Sequence, residues 1–598
     1  MNFKHLLLAT ATVSLTLLSA PTFATSTTST LAWKSWQDSH FTKAKKEQRF
    51  ILLDLEAVWC HWCHVMEQKT YSDPRVAALI AKHYIPVKVD QDARPDLGKR
   101  YEDYGWPATI VFDADGKEIV KLRGFIPPER MASILEAIVK DPSPIRYFDY
   151  LRDNPTEISR EAALSTENRE ELTDRFFRTH DFNMGGLNQD QKFMDHDSVE
   201  LALTLAHAGD KRAAQMAQQT LTGALNLIDP AWGGAYQYST DGDWKHHHFE
   251  KIMSVQADYL RLYASAWRHT QDARYLDAAK AIRRYVKNFL TSPEGAFYVS
   301  QDADLVQGEH SEEYFKLDDA ARRALGVPRV DTHIYARENG WMISALVALA
   351  ETDSDEVALQ DAITAARWVE KNRGLLGGGF RHDTKDSAGP YLDDNLAMAR
   401  AYMTLYVASA DRQWLVSARR TADFITKTFK ARDGGYLTSV KRGKLPPRPN
   451  TEENIQTARL FNELAQYSGK TTYRLNAEHA MRYLVTDEIA TYRRTEPGIL
   501  LADREMRTPP THITIVGAKR DATSLALYRH ALAFPDGYRR IEWWDRAEGR
   551  LPNPDVAYPK LAKPAAFICT DRICSSPIYD PDEIAPTIQR LARSEPAS

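Results

Sequence analysis

Phe50-Ile51-Leu52-Leu53-Asp54-Leu55-Glu56-Ala57-Val58-Trp59-Cys60-His61-Trp62-Cys63-His64-Val65-Met66-Glu67 is the stretch from which the rest of the chain can be read. Its first residues are almost continuously apolar, the pattern of a strand covered on both faces. That strand runs straight into a Cys-x-x-Cys pair, after which Met66 and Glu67 fall at helical spacing, so Cys60 is expected at a helix N-terminus. Unpaired N–H groups and the helix dipole stabilise a thiolate there. His61 and His64, when protonated, would lower a cysteine pKa further. In this reading Cys60 is the nucleophile of disulfide exchange and Cys63 resolves the mixed disulfide.

Working outward, Tyr84-Ile85-Pro86-Val87-Lys88-Val89-Asp90 reads as a second strand. Gly105-Trp106-Pro107-Ala108-Thr109-Ile110-Val111-Phe112 leads through Asp113-Ala114-Asp115-Gly116 into a hairpin, and Pro127-Pro128-Glu129-Arg130 opens a helix running to Lys140. Upstream, a helix containing Trp33, Trp36 and Phe41 is predicted. The order resembles thioredoxin. That resemblance implies that Asp54, six residues before Cys60, is the buried acid relaying the proton of the second thiol, and that Trp106-Pro107 is the cis-proline loop facing the disulfide. His61-Trp62 replaces the usual Gly-Pro, so neither a reduction potential nor a direction of electron flow carries over. Three other readings of Cys60 to His64 stand beside this one: c-type haem attachment, a zinc site of Cys60, Cys63 and His64, and a structural disulfide.

The chain has 598 residues, 43% of them hydrophobic and 26% charged, with a formal net charge of -4. This is globular composition with material for several cores, and it argues against a phosphate-binding surface, so nucleic acid is not an expected partner. Asn2-Phe3-Lys4-His5, an apolar run from Leu6 to Ala20, and Thr22-Phe23-Ala24 read as a signal peptide over residues 1–24, cleaved after Ala24. A periplasmic or secreted protein, with no membrane contact after processing, is expected. The four cysteines, Cys60, Cys63, Cys569 and Cys574, are then expected in specific disulfide pairs.

Beyond residue 155 the pattern changes to long helices separated by glycine turns: Gly185-Gly186, Gly233-Gly234, Gly295, Gly378-Gly379, Gly434-Gly435 and Pro497-Gly498. Helix pairs are predicted between them, at Phe249 to His269 and Ala273 to Leu290, Glu338 to Glu351 and Glu356 to Lys371, and Asn395 to Ala410 and Gln413 to Lys430. Six such hairpins close into an all-α (α/α)6 toroid whose turns share one rim around a central cavity. The predicted organisation is multidomain: an α/β thioredoxin-like domain over 31–145, the toroid over 155–505, and a small α/β appendage over 506–598. In the appendage, strands are expected at Thr511 to Val516, Tyr538 to Trp543 and Ala565 to Ile568, with helices over Asp521 to Ala533 and Asp582 to Arg593. Cys569 and Cys574 either close a short loop or exchange with the N-terminal pair.

Several strings together resemble the spermatogenesis-associated thioredoxin-domain family over nearly the whole mature length. They are Val58 to Glu67, Tyr238-Ser239-Thr240-Asp241, His248-Phe249-Glu250-Lys251, Phe297 with Gln301-Asp302-Ala303-Asp304, and Leu392-Asp393-Asp394. Met194 after Lys192-Phe193, and Ser254 to Gln256, depart from the family pattern. The toroid is also similar to those of sugar epimerases and six-hairpin glycosidases, in which acids and histidines at the cavity mouth do acid/base chemistry. The resemblance makes His248, Glu250, Asp302, Asp304, Asp393 and Asp394 candidates for binding a sugar-like ligand. Turn capping by the aspartates and a loop hydrogen bond from His248 are the alternative roles. His246-His247-His248 is not expected to converge on one ion, and neither a metal nor a cofactor is expected. The leading expectation is thiol-disulfide exchange with an unidentified protein thiol or disulfide, with Cys60, Cys63, Asp54 and Pro107 as the working residues and the toroid selecting substrate. The alternative is a carbohydrate-active or carbohydrate-binding toroid with an accessory thioredoxin-like domain.

Overall fold

The computed structural model describes residues 31–594 apart from 146, 148, 154, 442, 536, 571 and 572. The expected signal peptide lies outside the described residues. The first sheet has strands β1 (Phe50–Glu56), β2 (Tyr84–Asp90), β3 (Ala108–Phe112) and β4 (Glu118–Arg123) in the order β2-β1-β3-β4. β1 runs parallel to β2 and antiparallel to β3, which puts Asp54 between Lys88 and Thr109. Alternation along β1 explains its unbroken apolar run. Leu52 packs with Met66, Val76 and Leu135 on one face, and Ile51, Leu53 and Leu55 pack with Phe41, Leu97 and Tyr101 on the other. The predicted first helix begins only at Ser39. Trp33 and Trp36 precede it because both rings are needed elsewhere, Trp33 edge-on to Tyr71 and Trp36 against Phe41 and Phe112.

Six inner helices, His196–His207, Met253–Thr270, Ala336–Asp353, Leu392–Ser409, Thr451–Ser468 and Pro497–Arg507, each pack on the next, and the last packs on the first. The ring is closed. Outside it lie Thr166–Arg178, Lys211–Ala224, Ala273–Phe289, Glu356–Arg373, Arg412–Phe429 and Thr471–Leu484. Outer helices bury one stripe, as in Arg412–Phe429, whereas Leu392–Ser409 is buried on nearly every side. Each of the first five glycine turns joins an outer helix to the following inner one, at the rim formed by the inner helices' N-termini, whereas Pro497-Gly498, expected as a sixth turn, opens the inner helix Pro497–Arg507 itself. Glycine is required at Gly233 (φ 75°), where a Cβ would fall 2.3 Å from the Ala281 carbonyl oxygen. Beside four of the turns, an amide on the next inner helix binds the turn's backbone at both its N–H and its C=O. The pairs are Gln256 with Ala235, Asn339 with Phe297, Asn395 with Phe380 and Asn454 with Tyr436.

The C-terminal sheet, Arg539–Trp544, Thr511–Val516 and Ala565–Cys569 in spatial order, closes the opposite end of the ring. Lys519 donates to the Ala410 carbonyl at 2.7 Å, Tyr528 donates to the Val407 carbonyl, and Arg539 pairs with Glu351. Cys569 and Cys574 form a disulfide there. An 18-residue inner helix is about 27 Å long. The two cysteine pairs thus sit at opposite ends of the ring, and neither is bonded to the other. Cys569–Cys574 is the loop-closing bond.

Candidate functional site

Cys60 caps the short helix His61–Val65, its Sγ accepting from the Cys63 N–H at 3.1 Å. It is joined to Cys63 by a disulfide. Trp59, Trp106 and Ile252 pack against the pair, and the Trp106–Pro107 peptide is cis. Both cysteines are buried, at 3% and 4% exposure. Ile252 belongs to the toroid, so the redox helix is pressed against the ring rather than open to solvent. Asp54 is buried on β1, accepting from the Tyr71 hydroxyl at 3.1 Å and standing 3.8 Å from the Lys88 ammonium. Burial, with the charge of Glu56, pushes its pKa up to about 7. Lys88 also binds Glu56 at 3.1 Å and Glu67.

The surface meeting the redox helix is the long connection between Ala273–Phe289 and Ala336–Asp353. Its strand Ser300–Gln301 pairs with Lys251–Ile252 and with Val330–Asp331. His61 Nδ1 lies 2.7 Å from Asp304 Oδ1, and His64 Nδ1 lies 3.1 Å from Asp304 Oδ2. Burial alone would raise the Asp304 pKa, but the bonds from His61 and His64 outweigh it and hold it at about 2. At Asp302 burial outweighs the charge of His64 and the Asp304 N–H bond, and carries it to about 6. Glu250, buried beside His61, rises to about 7, and His248, stacked on Tyr238, falls to about 4 through burial and the neighbouring His61 and His310.

A second line of contacts leads from the cysteines to the ring's interior. Trp59 Nε1 donates to Asp92 Oδ2 at 2.7 Å. Asp92 Oδ1 is 3.5 Å from Arg337, and the Asp92 carbonyl meets His382 Nε2 at 2.7 Å. The other His382 nitrogen binds Asp394 at 2.8 Å, and Arg337 reaches Asp393 at 3.9 Å. Asp393 borders a cavity of about 400 Å3 inside the ring. Lys99, from the N-terminal domain, plugs the mouth near Asp393, Glu452 and Glu453, while Arg539 from the appendage reaches in from the far end. Inside, Arg459 binds Glu505 and Glu200, and Arg261 binds Glu200. Arg400 and Glu463 also line the cavity and interact electrostatically with one another.

The N-terminal module matches the family Thioredox_DsbH, described as a protein of unknown function, DUF255, over residues 14–141. Spermatogenesis-associated protein 20 of Homo sapiens is 22% identical over 705 residues, spanning 92% of this chain and 89% of that one. The chain resembles the spermatogenesis-associated family across both modules. Thiol:disulfide interchange protein DsbD of Ralstonia nicotianae is 39% identical over 94 residues, 15% of each chain. Among solved structures, a D-mannose isomerase aligns with TM-score 0.45 and 12% identity, covering 57% of this chain and 96% of that one. Cellobiose 2-epimerase from Bacillus thermoamylovorans aligns at 0.43 and 13%, covering 53% and 86%.

Of the family strings, His248, Glu250, Asp302 and Asp304 were expected around the cavity mouth, and they lie at that rim. The thioredoxin-like module occupies the mouth, so these four residues face the redox helix. Asp393 alone of the six borders the cavity. Asp394 is turned outward, accepting from the Arg337 N–H at 2.9 Å and fixing His382. Lys251, from the same string as Glu250, is fully buried and binds Asp229 at 2.6 Å, which makes it structural. Asp92, Lys99, Arg337, His382, Arg400 and Glu463 were missed. No local pattern marks them, because each gains its role from partners distant in sequence.

Proposed function

We propose that the chain is an exported thiol-disulfide oxidoreductase whose redox helix works against the rim of its own toroid. The observation that carries this reading is Asp54: a buried carboxyl with a pKa near 7, bound to Tyr71 and facing Lys88, in the strand that leads into Cys60. A group so poised accepts a thiol proton and returns it near neutral pH. With the pair reduced, the Cys60 thiolate attacks a substrate disulfide, forming a mixed disulfide and releasing one substrate thiolate, which takes up a proton. Asp54 takes the Cys63 proton, and the Cys63 thiolate attacks the Cys60 sulfur. The Cys60–Cys63 disulfide forms and the second substrate thiol leaves, two electrons having passed to the substrate. The reverse sequence oxidises a dithiol. Because Ile252 and Trp106 cover the sulfurs, the substrate is a small thiol or disulfide, or an extended segment, rather than the face of a folded protein. The test is the pH dependence of Cys60 alkylation in reduced protein, with trapping of a mixed disulfide in Cys63→Ser. A Cys60 pKa near the ordinary 8.5 with no trapped adduct would overturn the proposal.

A second reading rests on the cavity. Arg400 and Glu463, which interact electrostatically but share no direct hydrogen bond, offer a cation and an acid to a space of about 400 Å3 with both polar and apolar walls, the equipment for orienting a polar, sugar-like ligand. Calorimetric titration with neutral sugars and uronates, on wild type and Arg400→Met, tests it. Binding that Arg400→Met leaves unchanged, or none to either class, removes this reading.

A further inference from the structure

His64 and Asp302 face one another in a way that leaves a gap in the bonding. Both oxygens of Asp304 are satisfied, Oδ1 by His61 Nδ1 at 2.7 Å and Oδ2 by His64 Nδ1 at 3.1 Å and the Gly308 N–H at 2.7 Å. Asp302 is 1% exposed. Its Oδ1 accepts from the Asp304 N–H at 3.0 Å, but its Oδ2 is buried with no hydrogen-bond donor. The group facing that oxygen is His64 Nε2, 3.8 Å away, too far for a hydrogen bond. A cation in place of the proton between His64 Nδ1 and Asp304 Oδ2 would also face the bare Asp302 oxygen, which burial leaves without a donor.

His64, Asp302 and Asp304 offer a nitrogen and two oxygens within 4.8 Å of one another. Ligand atoms held at 2.0 to 2.2 Å from a tetrahedral ion are about 3.4 Å apart, so little movement closes the set. The surroundings also fit. His61 and the Gly308 N–H hold the Asp304 carboxylate from outside, the outer-shell bonding that orients metal-bound carboxylates and imidazoles. We propose that His64, Asp302 and Asp304 bind one divalent transition-metal ion, of the zinc or manganese class, which staples the redox helix to the toroid rim. One imidazole and two carboxylates suit these ions, with water completing the shell. His64 comes from one module and both aspartates from the other, so the ion exists as a site only in the docked molecule.

The experiment uses the full chain, stripped with chelator and titrated with zinc and, separately, manganese by calorimetry, with elemental analysis after gel filtration. One equivalent is expected in the wild type. Asp302→Asn keeps the Oδ1 acceptor and removes the charge, and it is expected to lose at least tenfold in affinity while its thermal midpoint in chelator matches the wild type. His64→Gln behaves likewise. His246→Ala, in the exposed histidine run, retains the equivalent. No binding by the wild type, unchanged binding by both ligand variants, or loss in His246→Ala alone overturns the proposal.

Discussion

A carboxyl group that titrates near neutrality inside a protein sets chemistry and stability against each other, and Asp54 is such a group. In the unfolded chain it titrates near 3.9, whereas burial carries it to about 7 in the fold. The folded state therefore binds the proton more tightly. Asp54 carries no penalty below about pH 4, and stability falls as pH rises from there through 7. Asp54→Asn removes this slope. It is expected to raise the thermal midpoint by a few degrees at pH 8, to leave it unchanged near pH 4, and to slow mixed-disulfide resolution by about tenfold or more. Scanning calorimetry at the two pH values and stopped-flow thiol exchange check the two halves, and a midpoint gain at both pH values would refute the assignment. Cys60, Cys63, Asp54 and Pro107 were legible in the sequence because thioredoxin-like chemistry fixes their order within a short stretch. The partners of His61 and His64 were not, since Asp304 lies 243 and 240 residues away.

At the scale of the element, the repeat unit is a glycine turn clamped by an amide. Asn395 accepts from the Phe380 N–H at 2.8 Å and donates to the carbonyls of Phe380 and Tyr391 at 3.3 and 2.7 Å. Asn395→Ala leaves the Phe380 groups buried and unpaired, and is expected to cost about 2–4 kcal/mol in denaturant unfolding with no change in Cys60 reactivity. A loss under 1 kcal/mol would show that water replaces the clamp. The glycine turns were readable because positive φ demands glycine. The starts of the inner helices were less so: the predicted Phe249 and Asn395 became Met253 and Leu392. Helices buried on nearly every side lack the polar stripe from which a boundary is read. For the same reason Asp393 and Asp394 looked like one motif. The roughly 100° between consecutive helical residues sends the first to the cavity and the second to His382.

At the scale of the whole molecule, two added domains stopper a ring. On one side Asp304 grips His61 and His64, Arg493 pairs with Glu102 and Asp103 at 2.8 and 3.0 Å, and Arg448 binds Asp153. Asp304→Ala loosens the grip beside the cysteines and is expected to raise the alkylation rate of reduced Cys60 at least threefold while leaving Asn395-dependent ring stability intact. Mass-spectrometric rate measurements check this, and an unchanged rate would mean that the cysteines are covered by their own domain alone. Lys99→Met withdraws the cation between Asp393, Glu452 and Glu453. It is expected to lower stability at pH 8 more than at pH 5, where Glu453, raised by burial to about 8, is already protonated. Ring closure also imposes an order on synthesis. The sheet and helices through Lys140 leave the ribosome first, whereas the rim that covers them is complete only when Pro497–Arg507 reaches His196–His207, hundreds of residues later. Throughout that interval the newborn cysteine pair meets whatever oxidants and reductants surround it. Before the ring closes the pair is open to any thiol or disulfide, whereas in the finished molecule exchange is confined to partners that reach past Ile252 and Trp106.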